Sequence, residues 1–151
     1  MTNDICIFNL CARRTSFRIY LGSLVFTPEA IYFLSSGKIP KYGQRMSLLN
    51  IPGIIQGSHS INNEYNRDID QFKNADNYIQ LLDRFVQENK GSIKIEKPEI
   101  KDVKLPSNSI QTGFKIITDD GTHLFDIGCA VRNKRLPELT NYLNNHFYIQ
   151  N

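Results

Sequence analysis

From residue 92 onward the chain reads as strand patterns closed by one amphipathic helix, an order that few folds accept. Residues 92–105 carry Ile93 and Ile95 on one face of an alternating run, a break at Lys97-Pro98, and then Ile100, Val103 and Leu105 as inward positions. Residues 114–118 and 123–127 flank Asp119-Asp120-Gly121-Thr122. An Asp-Gly step between two apolar runs is a strong hairpin signal, because glycine accepts the positive φ of a tight turn. Leu136, Leu139, Tyr142 or Leu143, and Phe147 then share one side of a helix. Pro137 is expected in its first turn, where amides are spare. Strands that end in a single helix predict a small antiparallel barrel plugged at one end.

The first half supplies more strands. Residues 17–26 and 31–34 are rich in β-formers, and Thr27-Pro28-Glu29-Ala30 between them suits a turn, since Pro28 presets φ and cannot donate to a ladder. Gly22 inside the first run predicts a bend or bulge. Residues 5–10 fit either a further strand or a packed N-terminal arm. Tyr78, Leu81, Leu82, Phe85 and Val86 recur at helical spacing and form one apolar face. Asn74 or Asp76 can cap that helix and Gly91 can stop it, with Asp83, Glu88 and Lys90 expected on its outer side. It reads as an insertion between two groups of strands.

Residues 38–75 obey no single period, because Gly43, Pro52, Gly53 and Gly57 interrupt them. Leu48, Leu49, Ile51, Ile54 and Ile55 make an apolar cluster there. It fits an irregular segment packed on the barrel, or a loop that touches a membrane or a partner.

With 151 residues the chain suits one domain able to bury a core without metal or disulfides. Its formal charge of +3 does not by itself argue for nucleic acid, and no specific nucleic-acid partner is expected. The distribution of charge is more informative. Arg13, Arg14, Arg18, Lys38, Lys41 and Arg45 face a single acid, Glu29, between Cys11 and Arg45, whereas acids dominate 62–88. Such segregation favours an oriented contact. Cys6, Cys11 and Cys129 form no paired framework. The N-terminus has no secretory pattern, and no apolar window is long enough to span a bilayer. The expected location is the cytoplasm, with room for peripheral contact with a membrane.

Catalytic chemistry finds little support. His59, His123 and His146 are far apart, without partners at zinc-ligand spacing. Asp119 and Asp120 are explained by turn formation, and Ser35-Ser36-Gly37-Lys38 lacks the glycine and hydroxyl residue of a phosphate-binding loop. Cys129 suits a small core filler, or a reactive thiol if exposed. The reading is therefore non-enzymatic, with no metal and no cofactor.

The order of elements resembles the bacterial PH-like proteins of GRAM type. The stretch Tyr20-Leu21-Gly22-Ser23-Leu24-Val25-Phe26-Thr27-Pro28-Glu29-Ala30-Ile31-Tyr32-Phe33-Leu34 is similar to that group's opening hairpin. Gly91-Ser92-Ile93-Lys94-Ile95-Glu96-Lys97-Pro98-Glu99-Ile100-Lys101-Asp102-Val103 is similar to its strand-kink-strand segment. The resemblance implies an α+β fold: a PH-like split antiparallel β-barrel capped by a C-terminal helix, with a helical insertion between the opening hairpin and the later strands. Within one domain, 1–151, the hairpin would occupy 17–36, the insertion 38–90, the remaining strands 91–127 and the capping helix 134–148.

It also implies a module that binds lipid headgroups, peptides or proteins. Arg13, Arg14, Lys38, Lys41 and Arg45 are then candidates for an anionic-ligand rim. Leu48, Leu49, Ile54 and Ile55 are candidates for partner or membrane contact. Glu29 in the hairpin turn argues against tight phosphoinositide binding. The competing expectations are a self-associating protein that uses the apolar cluster and the 76–90 helix, and a small enzyme built around His123 or Cys129.

Overall fold

The computed structural model describes residues 4–38, 76–105, 113–127 and 132–147. Their strands form one antiparallel sheet: β1 (Cys6–Arg14), β2 (Ile19–Phe26), β3 (Ala30–Lys38), β4 (Ile93–Glu96), β5 (Ile100–Lys104), β6 (Gly113–Thr118) and β7 (Gly121–Asp126). The spatial order is β4-β3-β2-β1-β7-β6-β5, so β4 and β5 are the two edges and no pairing closes the sheet among the described residues. Among the described residues two helices complete the α+β fold, α1 (Tyr78–Glu88) and α2 (Arg132–His146). Among the described residues, no helix is long and apolar enough to cross a membrane.

Of residues 5–10, all but Ile5 belong to a strand, and β1 is central. It pairs with β2 over Cys6–Phe26 to Arg14–Ile19 and with β7 from Ala12–Asp126 to Arg14–Leu124. The bulge expected at Gly22 is present: the β2–β3 register shifts between Leu21 and Gly22. Two hairpin turns are closed in the same way. The hydroxyl of Thr15 bridges to Arg18, and that of Thr27 to Ala30, each accepting one amide and donating to one carbonyl. The β4–β5 connection is a 3-10 turn, Lys97–Glu99, as the Lys97-Pro98 break predicts. The Glu96 amide donates to Glu99 Oε2 at 2.8 Å and the Lys97 amide to the Glu29 carbonyl at 2.9 Å, tying this corner to the β2–β3 turn.

The sheet buries both faces, but not everywhere. On the inner face Phe8, Tyr20, Leu24, Phe26, Phe33, Ile95, Val103, Phe114, Ile116 and Phe125 form the main core with Leu139, Tyr142 and Leu143 of α2. On the outer face Val25, Ala30, Tyr32 and Leu34 are covered by α1 through Leu82, with Tyr78, Leu81, Phe85 and Val86 around it. Strands covered on both sides need apolar residues at successive positions. That is why 24–26 and 31–34 are unbroken apolar runs while β6 alternates Phe114-Lys115-Ile116.

Two local expectations are corrected, the cap of α1 and the place of Pro137. Asn77, not Asp76, precedes α1, and its side chain makes no capping bond; Asn74 lies outside the described residues. The helix ends at Asn89, whose amide bonds the Phe85 carbonyl, and Gly91 takes the positive φ (93°) beyond it. Pro137 lies inside α2 rather than in its first turn, because the helix begins at Arg132 and absorbs the basic run Arg132-Asn133-Lys134-Arg135.

Candidate functional site

At one end of the sheet the β1–β2 turn carries Phe17, which is 86% exposed. The turn is held from within: the Thr15 amide donates to the Arg18 carbonyl at 2.9 Å, and the Arg18 amide to Thr15 Oγ1 at 3.0 Å. Phe17 thus stands exposed in a closed turn, next in sequence to the exposed Arg18 and three residues after Arg14. The opposite end of β2 is occupied, since Phe26 packs on Tyr142 of α2 with ring centroids 6.2 Å apart.

Arg13 and Arg14 are consecutive strand residues, so their side chains leave opposite faces of the sheet. Arg13 points inward. Its Nη1 donates to the Gly91 carbonyl at 3.0 Å, and its guanidinium lies 5.9 Å from the Tyr20 ring centroid, within cation–π range. Burial lowers the Arg13 pKa, with Tyr20 opposing, yet a guanidinium remains charged. His123 on β7 feels that charge: burial first and Arg13 second hold its imidazole below the ordinary value, with Glu99 and Asp120 pulling the other way. Arg14 points outward to Asp126, 3.8 Å away, with its side chain 39% exposed. The two arginines therefore do not converge on one ligand position. Lys38 is the last residue of β3. Lys41, Arg45, Leu48, Leu49, Ile54, Ile55, His59 and Cys129 lie outside the described residues.

A second polar cluster joins α1 to the outer face. Tyr32 donates to Asp83 Oδ1 at 3.0 Å, and Lys94 Nζ lies 3.0 Å from the same oxygen and 5.5 Å from the Tyr32 ring centroid. Asp83 is thus turned toward the sheet, not the outer side where helical spacing alone would place it. Its carboxylate, with Val86, Gln87 and Lys94, lines an open cavity of about 300 Å³. Burial works against the Lys94 charge, but Asp83 and Tyr32 outweigh it and raise the ammonium above its ordinary range. An amine held protonated is an ion-pair donor and not a nucleophile. The cluster's chemistry is that of a strut.

At the α2 end, Tyr142 donates to the Asp4 carbonyl at 2.9 Å, and His146 Nε2 lies 2.9 Å from Asp4 Oδ2. Among the described residues no group of three or more His, Cys, Asp or Glu side chains could hold a metal ion.

No family model matches the chain, and no curated protein matches it. Among solved structures it is similar to the C-terminal domain of an unknown protein from Leishmania infantum. That likeness has 14% identity and a TM-score of 0.45, and it covers 91% of this chain and 80% of the other.

Proposed function

We propose that residues 1–151 form a non-enzymatic PH-like binding module that docks on an anionic membrane surface through its β1–β2 turn. Two features support the architecture. A four-strand meander and a three-strand meander meet where β1 pairs with β7, and α2 contributes Leu139, Tyr142 and Leu143 to the inner core. The observation that carries the function is Phe17, 86% exposed on a turn locked by its own hydrogen bonds and flanked by arginines.

The magnitudes define the contact. Burying one phenylalanine contributes about 2–3 kcal/mol, and each arginine near a charged leaflet about 1 kcal/mol. The sum, about 4–5 kcal/mol, corresponds to roughly millimolar affinity. Contact through this turn alone is reversible and peripheral.

The apolar face of α1 packs on Val25, Tyr32 and Leu34, which favours docking through the turn over self-association through that face. Flotation with neutral and anionic vesicles tests the proposal. Retention by anionic vesicles alone is expected, and equal absence from both fractions removes it.

A further inference from the structure

The pairing registers place one row of side chains across the outer face of four strands. Arg14 of β1 stands opposite Leu124 of β7, Leu124 opposite Lys115 of β6, and Lys115 opposite Lys104 of β5. Directly opposed residues of an antiparallel pair project to the same side. Arg14, Leu124, Lys115 and Lys104 therefore form one stripe, with strands spaced about 4.8 Å apart. Lys115 and Lys104 are exposed, and Leu124 is 38% exposed. α1 packs elsewhere on the outer face, over Val25, Ala30, Tyr32 and Leu34.

Two lysines directly opposed across a strand pair repel each other and destabilise the sheet. Among the described residues neither has an acidic partner, while the acids of the same face are engaged: Asp126 by Arg14, and Asp102 by the Val103 amide. An exposed leucine between cations has the anatomy of a small protein contact, an apolar centre within a charged rim. A nucleic acid would want aromatic stacking platforms, and the exposed Phe17 belongs to the turn, not to this row. A membrane would want an apolar side chain free to insert, which Leu124, flanked within the sheet, is not.

We infer that this stripe is a docking surface for an acidic segment of a partner protein, whose carboxylates straddle Leu124 to reach Arg14 on one side and Lys115 and Lys104 on the other. The inference shares Arg14 with the membrane reading but uses neither Phe17 nor Arg18, and its test falls on Lys104, which the turn does not contain.

The test is Lys104→Glu, read by two measurements on the full chain. The substitution turns a like-charge cross-strand pair into an opposite-charge pair, so the thermal midpoint should rise. Binding of a fluorescent peptide of alternating Glu and Leu should meanwhile weaken roughly tenfold, about 1.4 kcal/mol, and the wild-type affinity should fall with added salt. Stability rising while affinity falls is a combination that a purely structural role for Lys104 cannot produce. No saturable binding of the peptide by the wild type, or equal binding by Lys104→Glu, overturns the inference. So does a loss in this variant that appears on anionic vesicles or on single-stranded oligonucleotide while peptide binding is unchanged. Phe17→Ser should leave peptide binding intact, which separates this surface from the turn.

Discussion

The phenol of Tyr32 on β3 donates its proton to Asp83 of α1 at 3.0 Å, and the oxygen that accepts it also receives Lys94 of β4 at 3.0 Å. One carboxylate thus ties a helix to two strands beside an otherwise apolar contact. Tyr32 is fully buried, so its hydroxyl needs that acceptor.

Asp83→Ala should therefore cost more than Tyr32→Phe. Removing the carboxylate leaves a buried donor unsatisfied, about 1–3 kcal/mol, whereas Phe keeps the ring and deletes the donor, about 1 kcal/mol. The double variant should cost less than the sum of the two. Urea denaturation of all three proteins checks this, and strictly additive costs would refute the strut.

Alkaline stability follows from the same group. Burial, and then the Asp83 hydrogen bond, push the Tyr32 phenol up to about 12. An unfolded phenol titrates near 10, so the folded state favours the neutral form. That stabilisation is complete below about pH 10 and is lost as pH rises toward 12. Lys94 shifts upward as well, and so does Tyr142, by burial and then Asp4. Wild-type stability should fall steeply in this window, and Tyr32→Phe should flatten part of the slope in denaturation curves taken at successive pH values. Superimposable slopes would show that Tyr32 does not carry the shift.

At Gly22 the backbone of β3 lies close, and a Cβ there would run into the Leu34 carbonyl. Backbone cannot move aside as a side-chain tip can, so Gly22→Ala should cost about 3 kcal/mol or more. Gly121 provides the contrast. Its φ is 142°, but nothing lies within 4 Å of its would-be Cβ, so Gly121→Ala should cost only the backbone strain, about 1–2 kcal/mol. Chemical denaturation that ranks the two the other way would contradict the close approach.

These elements differ in how far the sequence reveals them. The alternation of Ile93, Ile95, Phe114 and Ile116, the Lys97-Pro98 break, and the helical spacing of Tyr78 to Val86 depend only on near neighbours, and each appears in the fold as read. The central strand β1 is less legible, because Arg13 and Arg14 end it and a bulge between Phe8 and Cys11 breaks its alternation. A pair of arginines reads as one basic patch until a strand sends the two side chains to opposite faces. Asp83 was invisible for another reason. Helical periodicity places it on the outer side of the helix, and only the arrival of Tyr32 and Lys94 from distant strands turns it into a partner. One signal was available and informative: unbroken apolar runs at 24–26 and 31–34, against alternation in β6, distinguish strands covered on both faces from strands covered on one.

Acid pH probes the inner end of the sheet. His123 has a folded pKa below its ordinary value of about 6.5, because burial and the neighbouring Arg13 disfavour its charge. A base held low favours the fold while neutral. That contribution is complete above about pH 6.5 and erodes as pH falls toward the lower folded value. His123→Gln should thus lose less thermal stability than wild type as pH falls below about 6.5. Arg13→Gln should lessen the effect as well, by removing the second cause. Parallel pH profiles for wild type and His123→Gln would remove His123 from the account.

The β1–β2 turn yields a prediction that separates its apolar part from its charged part. Phe17 is 86% exposed and contributes little to the fold, so Phe17→Ser should leave the thermal midpoint within about 0.5 kcal/mol equivalents of wild type. On anionic vesicles the same substitution should weaken binding by about 2 kcal/mol, the worth of one buried aromatic side chain, and by the same factor at every salt concentration. Arg18→Glu should act differently. It exchanges attraction for repulsion, so its effect should be large at low salt and shrink as the Debye length contracts. Sedimentation with vesicles across a salt series measures both. If Phe17→Ser binds as wild type does, the turn does not enter the membrane. If Arg18→Glu loses affinity equally at all salt concentrations, the arginine acts through the shape of the Thr15–Arg18 turn and not through its charge.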